Sequence, residues 1–185
     1  GTPLEKYLSI VSYISDINKK CKDLVNELIN KGKTVCSFQT RNIPHLGHER
    51  IIEEGLKHCD YLVVNPLIGV RKKGDFKTEI IEKAFQFLIE NFYGNKVLYA
   101  PIIANMFYAG PREAFHHSII RQNIGFTHFI VGRDHAGAEG IYEEDAAFKN
   151  LKGNKLNIEV IPIEGAYYCT EKKSAVIKGV DENYI

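Results

Sequence analysis

Between Leu4 and Asn30 apolar residues return every three to four positions: Leu4, Tyr7, Leu8, Val11 and Ile14, then Cys21, Leu24, Val25 and Leu28. That spacing predicts an amphipathic helix. Ser15-Asp16 offers a cap for a second one, so either one helix or a pair is expected. Gly32 is placed to stop it. From Lys33 to Ile163 the pattern changes to short apolar runs that alternate with helical stripes. The runs Thr34–Phe38, Tyr61–Asn65, Val97–Ile103, His128–Gly132 and Ile158–Ile163 are rich in Val, Ile and aromatics and nearly continuously apolar, as strands buried on both faces are. Helices are expected between them, around His48–His58, Thr78–Phe92, Glu113–Asn123 and Glu143–Leu151. In the first of these Ile51, Ile52, Gly55, Leu56 and Cys59 fall on one stripe.

Strands alternating with helices predict an α/β fold: a doubly wound, five-stranded, mostly parallel sheet, preceded by an N-terminal helical extension. The expected division is residues 1–32 for the extension and 33–185 for the sheet-bearing domain. In such sheets ligands bind beyond the carboxyl ends of the strands, where the strand order reverses. The loops to inspect are therefore Gln39–Gly47, Pro66–Phe76, Ala104–Arg112 and Arg133–Gly140. Residues Glu164–Ile185 have no clear period and read as a flap or tail.

Composition narrows the function classes. The 185 residues suit one sizeable core, and a formal net charge of +1 supplies no broad field for holding nucleic acid or an anionic membrane, so no partner of either kind is expected. Any anion must be bound locally. The four cysteines lack a C-x-x-C pair, which argues against a zinc ribbon or disulfide framework and for reduced thiols in cytoplasm. No run approaches the roughly 20 apolar residues that span a bilayer. The chain begins at Gly1 rather than Met, so a processed product or a piece of a longer chain is expected.

The chemistry-bearing stretch is Phe38-Gln39-Thr40-Arg41-Asn42-Ile43-Pro44-His45-Leu46-Gly47-His48, which leaves the first strand of the alternating region and enters a helix. A helix start offers unpaired N–H groups and the positive end of a dipole, a ready phosphate site. Gly47 lets the backbone approach closely, and His45 and His48 can donate hydrogen bonds to oxyanions. A second block, Tyr108-Ala109-Gly110-Pro111-Arg112-Glu113-Ala114, supplies Arg112, which reads equally as a structural clamp and as a phosphate contact. A third, Phe129-Ile130-Val131-Gly132-Arg133-Asp134-His135-Ala136-Gly137, sets small residues beside charged ones on another strand-to-helix loop. His116-His117 lies on a helix without a second ligand pair and reads as exposed or capping, and no protein-held metal site is expected.

Gln39-Thr40-Arg41-Asn42 joined to His45-x-Gly47-His48, followed in order by the second and third blocks, resembles the ATP sulfurylases (sulfate adenylyltransferases) of the H-x-G-H nucleotidyltransferase superfamily. The resemblance runs from about Val35 to Cys169. It implies a Rossmann-like nucleotidyltransferase fold and transfer of AMP from ATP to sulfate, with a sulfate oxygen attacking the α-phosphorus in line and pyrophosphate leaving. By the same resemblance Gln39, Arg41 and the backbone at Ala136 would hold sulfate, while Thr40 and Asn42 would steady the reacting phosphates. His45, Gly47 and His48 would bind the α/β-phosphates, and Gly132, Arg133, Asp134 and His135 would flank the nucleotide. Magnesium would arrive as Mg-ATP. Leu46 and Phe107 stand where the family often carries a basic residue. These two positions leave open a nucleotidyltransferase that uses another small anion or CTP, and a non-catalytic nucleotide-binding subunit is the third reading. The pattern is also compatible with a homo-oligomer.

Overall fold

Helix α1 (Pro3–Asn30) starts at a capping box: Glu5 N–H donates to the Thr2 hydroxyl, while the Thr2 N–H donates to the Glu5 carboxylate. It is one unbroken helix rather than a pair, because the stripe of Ile14, Ile17 and Cys21 carries straight across Ser15-Asp16. The helix ends at Gly32, whose φ of +70° a side chain would resist, with Lys33 N–H donating back to Leu28 C=O. Its C-terminal half buries Cys21, Val25 and Leu28 in the core, whereas Leu4, Tyr7 and Leu8 in the first half stay exposed.

The computed structural model describes residues 2–69, 76–133, 135, 141–143 and 145–181. After α1 the chain alternates: β1 (Val35–Phe38), α2 (Leu46–His58), β2 (Tyr61–Val64), β3 (Leu67–Ile68), α3 (Thr78–Leu88), β4 (Val97–Tyr99), β5 (Ile102–Ile103), α4 (Pro111–Ile124), β6 (His128–Gly132), α5 (Ala146–Lys152) and β7 (Glu159–Ile163). The main sheet has five strands in the order β4-β2-β1-β6-β7, every pair parallel. The chain thus builds outward from β1 through β2 to β4, then returns to the other side of β1 for β6 and β7. The order reverses between β1 and β6, which register Cys36 against His128 and Phe38 against Ile130.

Successive residues of the buried strands feed opposite faces. Val35, Val63, Phe129 and Val131 pack on one side with α1, α4 and α5, and Cys36, Leu62, Val64 and Ile130 on the other with α2 and α3. The run expected as one strand over Val97–Ile103 is two. Pro101 has no N–H for a ladder, so pairing with β2 stops at Tyr99, and β5 pairs instead with β3 in a separate two-stranded sheet.

The segment expected as a flap or tail is a hairpin, β8 (Ala166–Cys169) antiparallel to β9 (Ser174–Ile177), that packs on α2. It is anchored by chemistry. Arg50 on α2 donates from Nε and Nη2 to the two oxygens of Asp181, at 3.0 and 2.9 Å, and from Nη2 to Glu54 at 3.1 Å. That bidentate bond first, then the Ile177 N–H bond and the charge of Arg50, hold the Asp181 carboxyl below the usual carboxylate range against its partial burial. Among the described residues no helix is long and apolar enough to cross a membrane.

Candidate active site

The reversal between β1 and β6 opens a crevice of about 410 Å³. Gln39, Thr40, Arg41, Asn42 and His48 line it from the β1–α2 side, Gly132, Arg133 and His135 from the end of β6, and Glu164 and Gly165 from the turn before the hairpin. Eight of the residues singled out in the sequence therefore share one space, at the place where an open parallel sheet binds ligands.

On the β1 side the polar groups organise one another. His45 is the N-cap of α2, and its Nδ1 accepts the Gly47 N–H at 3.1 Å. A Cβ on Gly47 would lie 2.9 Å from the His45 ring and 3.3 Å from the Ala166 side chain, so this position admits no side chain without movement. His45 is itself exposed and lies outside the crevice lining; its ring leans on His48, with centroids 3.9 Å apart and planes inclined by 38°. His48 is buried. Its Nε2 lies 3.0 Å from the Thr40 hydroxyl, which also accepts the Asn42 N–H at 3.2 Å. His48 Nδ1 and Gln39 Oε1 are buried with no hydrogen-bond partner among the described residues. Burial, and then the neighbouring His45, push the His48 pKa down from 6.5 to about 4, so the ring is neutral at pH 7. The direction of the Thr40–His48 bond follows the tautomer: an anion arriving beside Nδ1 would select the Nδ1–H form, with the Thr40 hydroxyl donating to Nε2.

The Tyr108–Ala114 block places the second wall. Glu113 accepts the N–H of Phe107 at 2.9 Å and of Ala109 at 2.8 Å, pinning the residues on both sides of Tyr108. Tyr108 is thereby held at φ +54°, a strained value for a side chain of its size. Its hydroxyl accepts from Arg41 Nη1 at 3.1 Å, and the guanidinium stands 5.3 Å from the ring centroid. The carboxylate clamp is thus made by Glu113, while Arg112 is exposed. Gly110 caps α4 at φ +55°, where a Cβ would lie 2.5 Å from Tyr142.

On the β6 side, a Cβ on Gly132 would meet nothing within 4 Å among the described residues, and the backbone there does not demand glycine. The space it leaves belongs to the crevice. His135 Nε2 lies 2.9 Å from Nδ1 of His117, which is fully buried on α4 rather than exposed or capping. His117 and Arg121 are functional-site neighbours that the sequence reading missed. Their signal was the spacing Glu113, His117, Arg121, which stacks all three on one face of α4. Arg121 is fully buried, donates to Asn65 at 3.0 and 3.2 Å, and has its pKa lowered to about 9 by burial. Burial, and then the Arg121 charge, lower His135 to about 3. Asp134 and Ala136 lie outside the described residues, as does the basic run Arg71-Lys72-Lys73.

Among the described residues no group of three His, Cys, Asp or Glu is placed to hold a metal, and the one carboxylate in the described lining is Glu164. That donor set suits a divalent ion held by a polyphosphate rather than by a protein cage.

Fold and crevice together define an open, doubly wound α/β protein with a polar crevice at its strand-order reversal. The likeness extends to a solved structure described as a hexameric APS kinase from Thiobacillus denitrificans: TM-score 0.58 at 14% identity, covering 86% of this chain and 30% of that one. At that identity the likeness concerns the fold alone. The family model ATP-sulfurylase matches residues 17–183, and the chain belongs to that family. Curated relatives include the sulfate adenylyltransferase of Ignicoccus hospitalis, 50% identical over 141 residues covering 74% of this chain and 36% of the relative. Another is that of Pyrococcus abyssi, 45% identical over 159 residues, covering 82% and 41%. The chain thus spans a little over a third of the length of the relatives it matches.

Proposed function

We propose that this chain carries the adenylyl-transfer site of a sulfate adenylyltransferase, with residues 33–185 as the catalytic unit and residues 1–32 as its helical extension. The observation that carries the reading is the meeting of Gln39–Asn42 and His48 with Gly132, Arg133 and His135 in one crevice at the strand-order reversal. The relatives, sulfate adenylyltransferases, supply the acceptor, sulfate.

In the proposed reaction a sulfate oxygen attacks the α-phosphorus of ATP. The new S–O–P bond forms as the bond from that phosphorus to the oxygen bridging to the β-phosphate breaks, and pyrophosphate leaves with the electron pair. The task for the protein is to hold two mutually repelling anions in line and to stabilise charge on the pentacoordinate phosphorus. Arg41, braced by Tyr108, is the cation for sulfate, with Gln39 and the backbone at Ala136 beside it. His48, through Nδ1, donates to a phosphate oxygen. His45 joins it at the α/β-phosphates by turning from its capping bond with Gly47, Thr40 fixes the His48 ring, and Asn42 steadies the phosphates. Gly132 leaves room for the nucleotide, which Arg133, Asp134 and His135 flank. Magnesium would travel with ATP, held by its phosphates with Glu164 the carboxylate of the described lining beside it, and would supply positive charge against theirs.

Incubation with ATP, magnesium and sulfate should release pyrophosphate, and adenylyl sulfate with pyrophosphate should yield ATP. A folded protein that does neither would reject the reading.

A further inference from the structure

The contact between His117 and His135 obeys a rule that fixes where protons sit. Two neutral histidines joined through one nitrogen each need one donor and one acceptor. Both rings are neutral at pH 7, because burial and then the nearby Arg121 charge lower both pKa values. The direction is decided at the far end of the pair. His117 Nε2 stands 3.3 Å from Glu113 Oε1, with both side chains almost wholly buried; the contact is not aligned as a hydrogen bond and Nε2 has no other partner among the described residues, so Glu113 acts on it through its charge. A lone pair on Nε2 would face a carboxylate oxygen and be repelled, whereas an N–H there is attracted. His117 therefore carries its proton on Nε2 and presents a bare Nδ1. Across the 2.9 Å contact that nitrogen must accept, so His135 donates from Nε2. Its other nitrogen, Nδ1, is left without a proton.

We propose that His117, held by Glu113, is a positioning residue that fixes His135 in the Nε2–H tautomer, so that His135 Nδ1 meets the nucleotide as a hydrogen-bond acceptor. The group it takes is a donor of the nucleoside half, a ribose hydroxyl or the exocyclic amine, and not a phosphate or sulfate oxygen. This deepens the functional reading above and rests on it only for the identity of the nucleotide. It divides labour between two buried histidines: His48 gives a proton to an oxyanion, and His135 accepts one from a neutral edge. The same Glu113 carboxylate pins the residues flanking Tyr108, so one side chain braces both Arg41 and His135.

The first test needs no turnover. Long-range proton–nitrogen NMR of the histidine-labelled chain at neutral pH should find His135 and His117 each protonated at Nε2 and bare at Nδ1. A proton on His135 Nδ1 overturns the proposal. The second reads ATP affinity by calorimetry. His117→Leu should raise the Kd for ATP about tenfold, the worth of one buried hydrogen bond. His117→Asn, whose amide oxygen can accept from His135 Nε2–H in the place of Nδ1, should bring it back to within about threefold of the parent. Equal defects in the two variants would overturn the positioning role. The third uses analogues of ATP lacking one ribose hydroxyl, the other hydroxyl, or the exocyclic amine. One of them should bind the parent and His117→Leu alike, identifying the donor; if the difference persists with all three, the acceptor role is wrong. ATP binding that follows these rules without sulfate-dependent turnover would sink the proposed function and leave this inference standing.

Discussion

His48 and His135 stand on opposite sides of the same strand reversal, both buried, both neutral, and they are built in opposite ways. His48 is organised by residues within nine positions of itself: Thr40 meets Nε2, the His45 ring leans on it, and Nδ1 has no partner among the described residues. His135 is organised from a distance, by His117 on α4 and through it by Glu113. The first arrangement leaves a buried nitrogen unsatisfied, at a cost of about 1–3 kcal/mol that an arriving oxyanion relieves. The second occupies one nitrogen so that the other has a defined role. A local turn can thus hold an empty place for charge, while orientation for a neutral ligand needs support from another element.

The contrast can be broken most severely on the β1 side. Arg41→Ala and His48→Ala should each lower sulfate-dependent pyrophosphate release by about a thousandfold, with the folded spectrum intact, as loss of a charge-stabilising donor does. Retained turnover in either would remove that residue from the chemistry. The next effect is on stability. Arg50→Ala strands Asp181 and frees the hairpin from α2, and urea denaturation should register a loss of about 2–3 kcal/mol; no change would mean that the hairpin is held by its apolar contacts alone. Gly132→Ala tests the space on the β6 side. Its methyl meets no atom of the described residues within 4 Å, so stability should stay within about 0.5 kcal/mol. ATP affinity should fall about tenfold if the nucleotide uses that space, and unchanged affinity would place the nucleotide elsewhere.

The smallest expected effect is on pH dependence. The folded values of His48 and His135, about 4 and about 3, lie below the ordinary 6.5. The unfolded chain therefore binds more protons in that window, so the stability each contributes is present above pH 6.5 and is lost as pH falls toward the folded value. Between pH 6.5 and 5 the denaturation free energy should drop by on the order of 1 kcal/mol for each ring. His48→Asn should flatten its share of the slope; an unaltered slope would mean that this ring titrates normally.

How much of this was legible follows the same division. The five main strands were readable because strands buried on both faces carry uninterrupted apolar runs, and β6 falls at His128–Gly132 as expected. The β1–α2 turn was readable because its partners are sequence neighbours. The break at Pro101 was visible as a residue, but the apolar run around it masked its effect. The hairpin was missed because Ala166–Ile177 lies half exposed on α2 and shows neither period cleanly. His117 was missed because a histidine pattern does not announce burial, and its partner lies 18 residues away on another element. Arg112 and Glu113 were adjacent candidates for one clamp, and only the fold could assign it to the carboxylate.

The strand order also has a consequence in time. Thr34, just before β1, bonds Asp60, just before β2, across 26 positions, whereas Val35 in β1 bonds Thr127, just before β6, across 92. Long-range parallel pairing is slow, because chain closure precedes its reward. The two walls of the crevice therefore meet at a late step of folding, and in rapid-mixing refolding the recovery of nucleotide binding should lag the recovery of helix signal. The crevice comes into being only when the two halves of the sheet join.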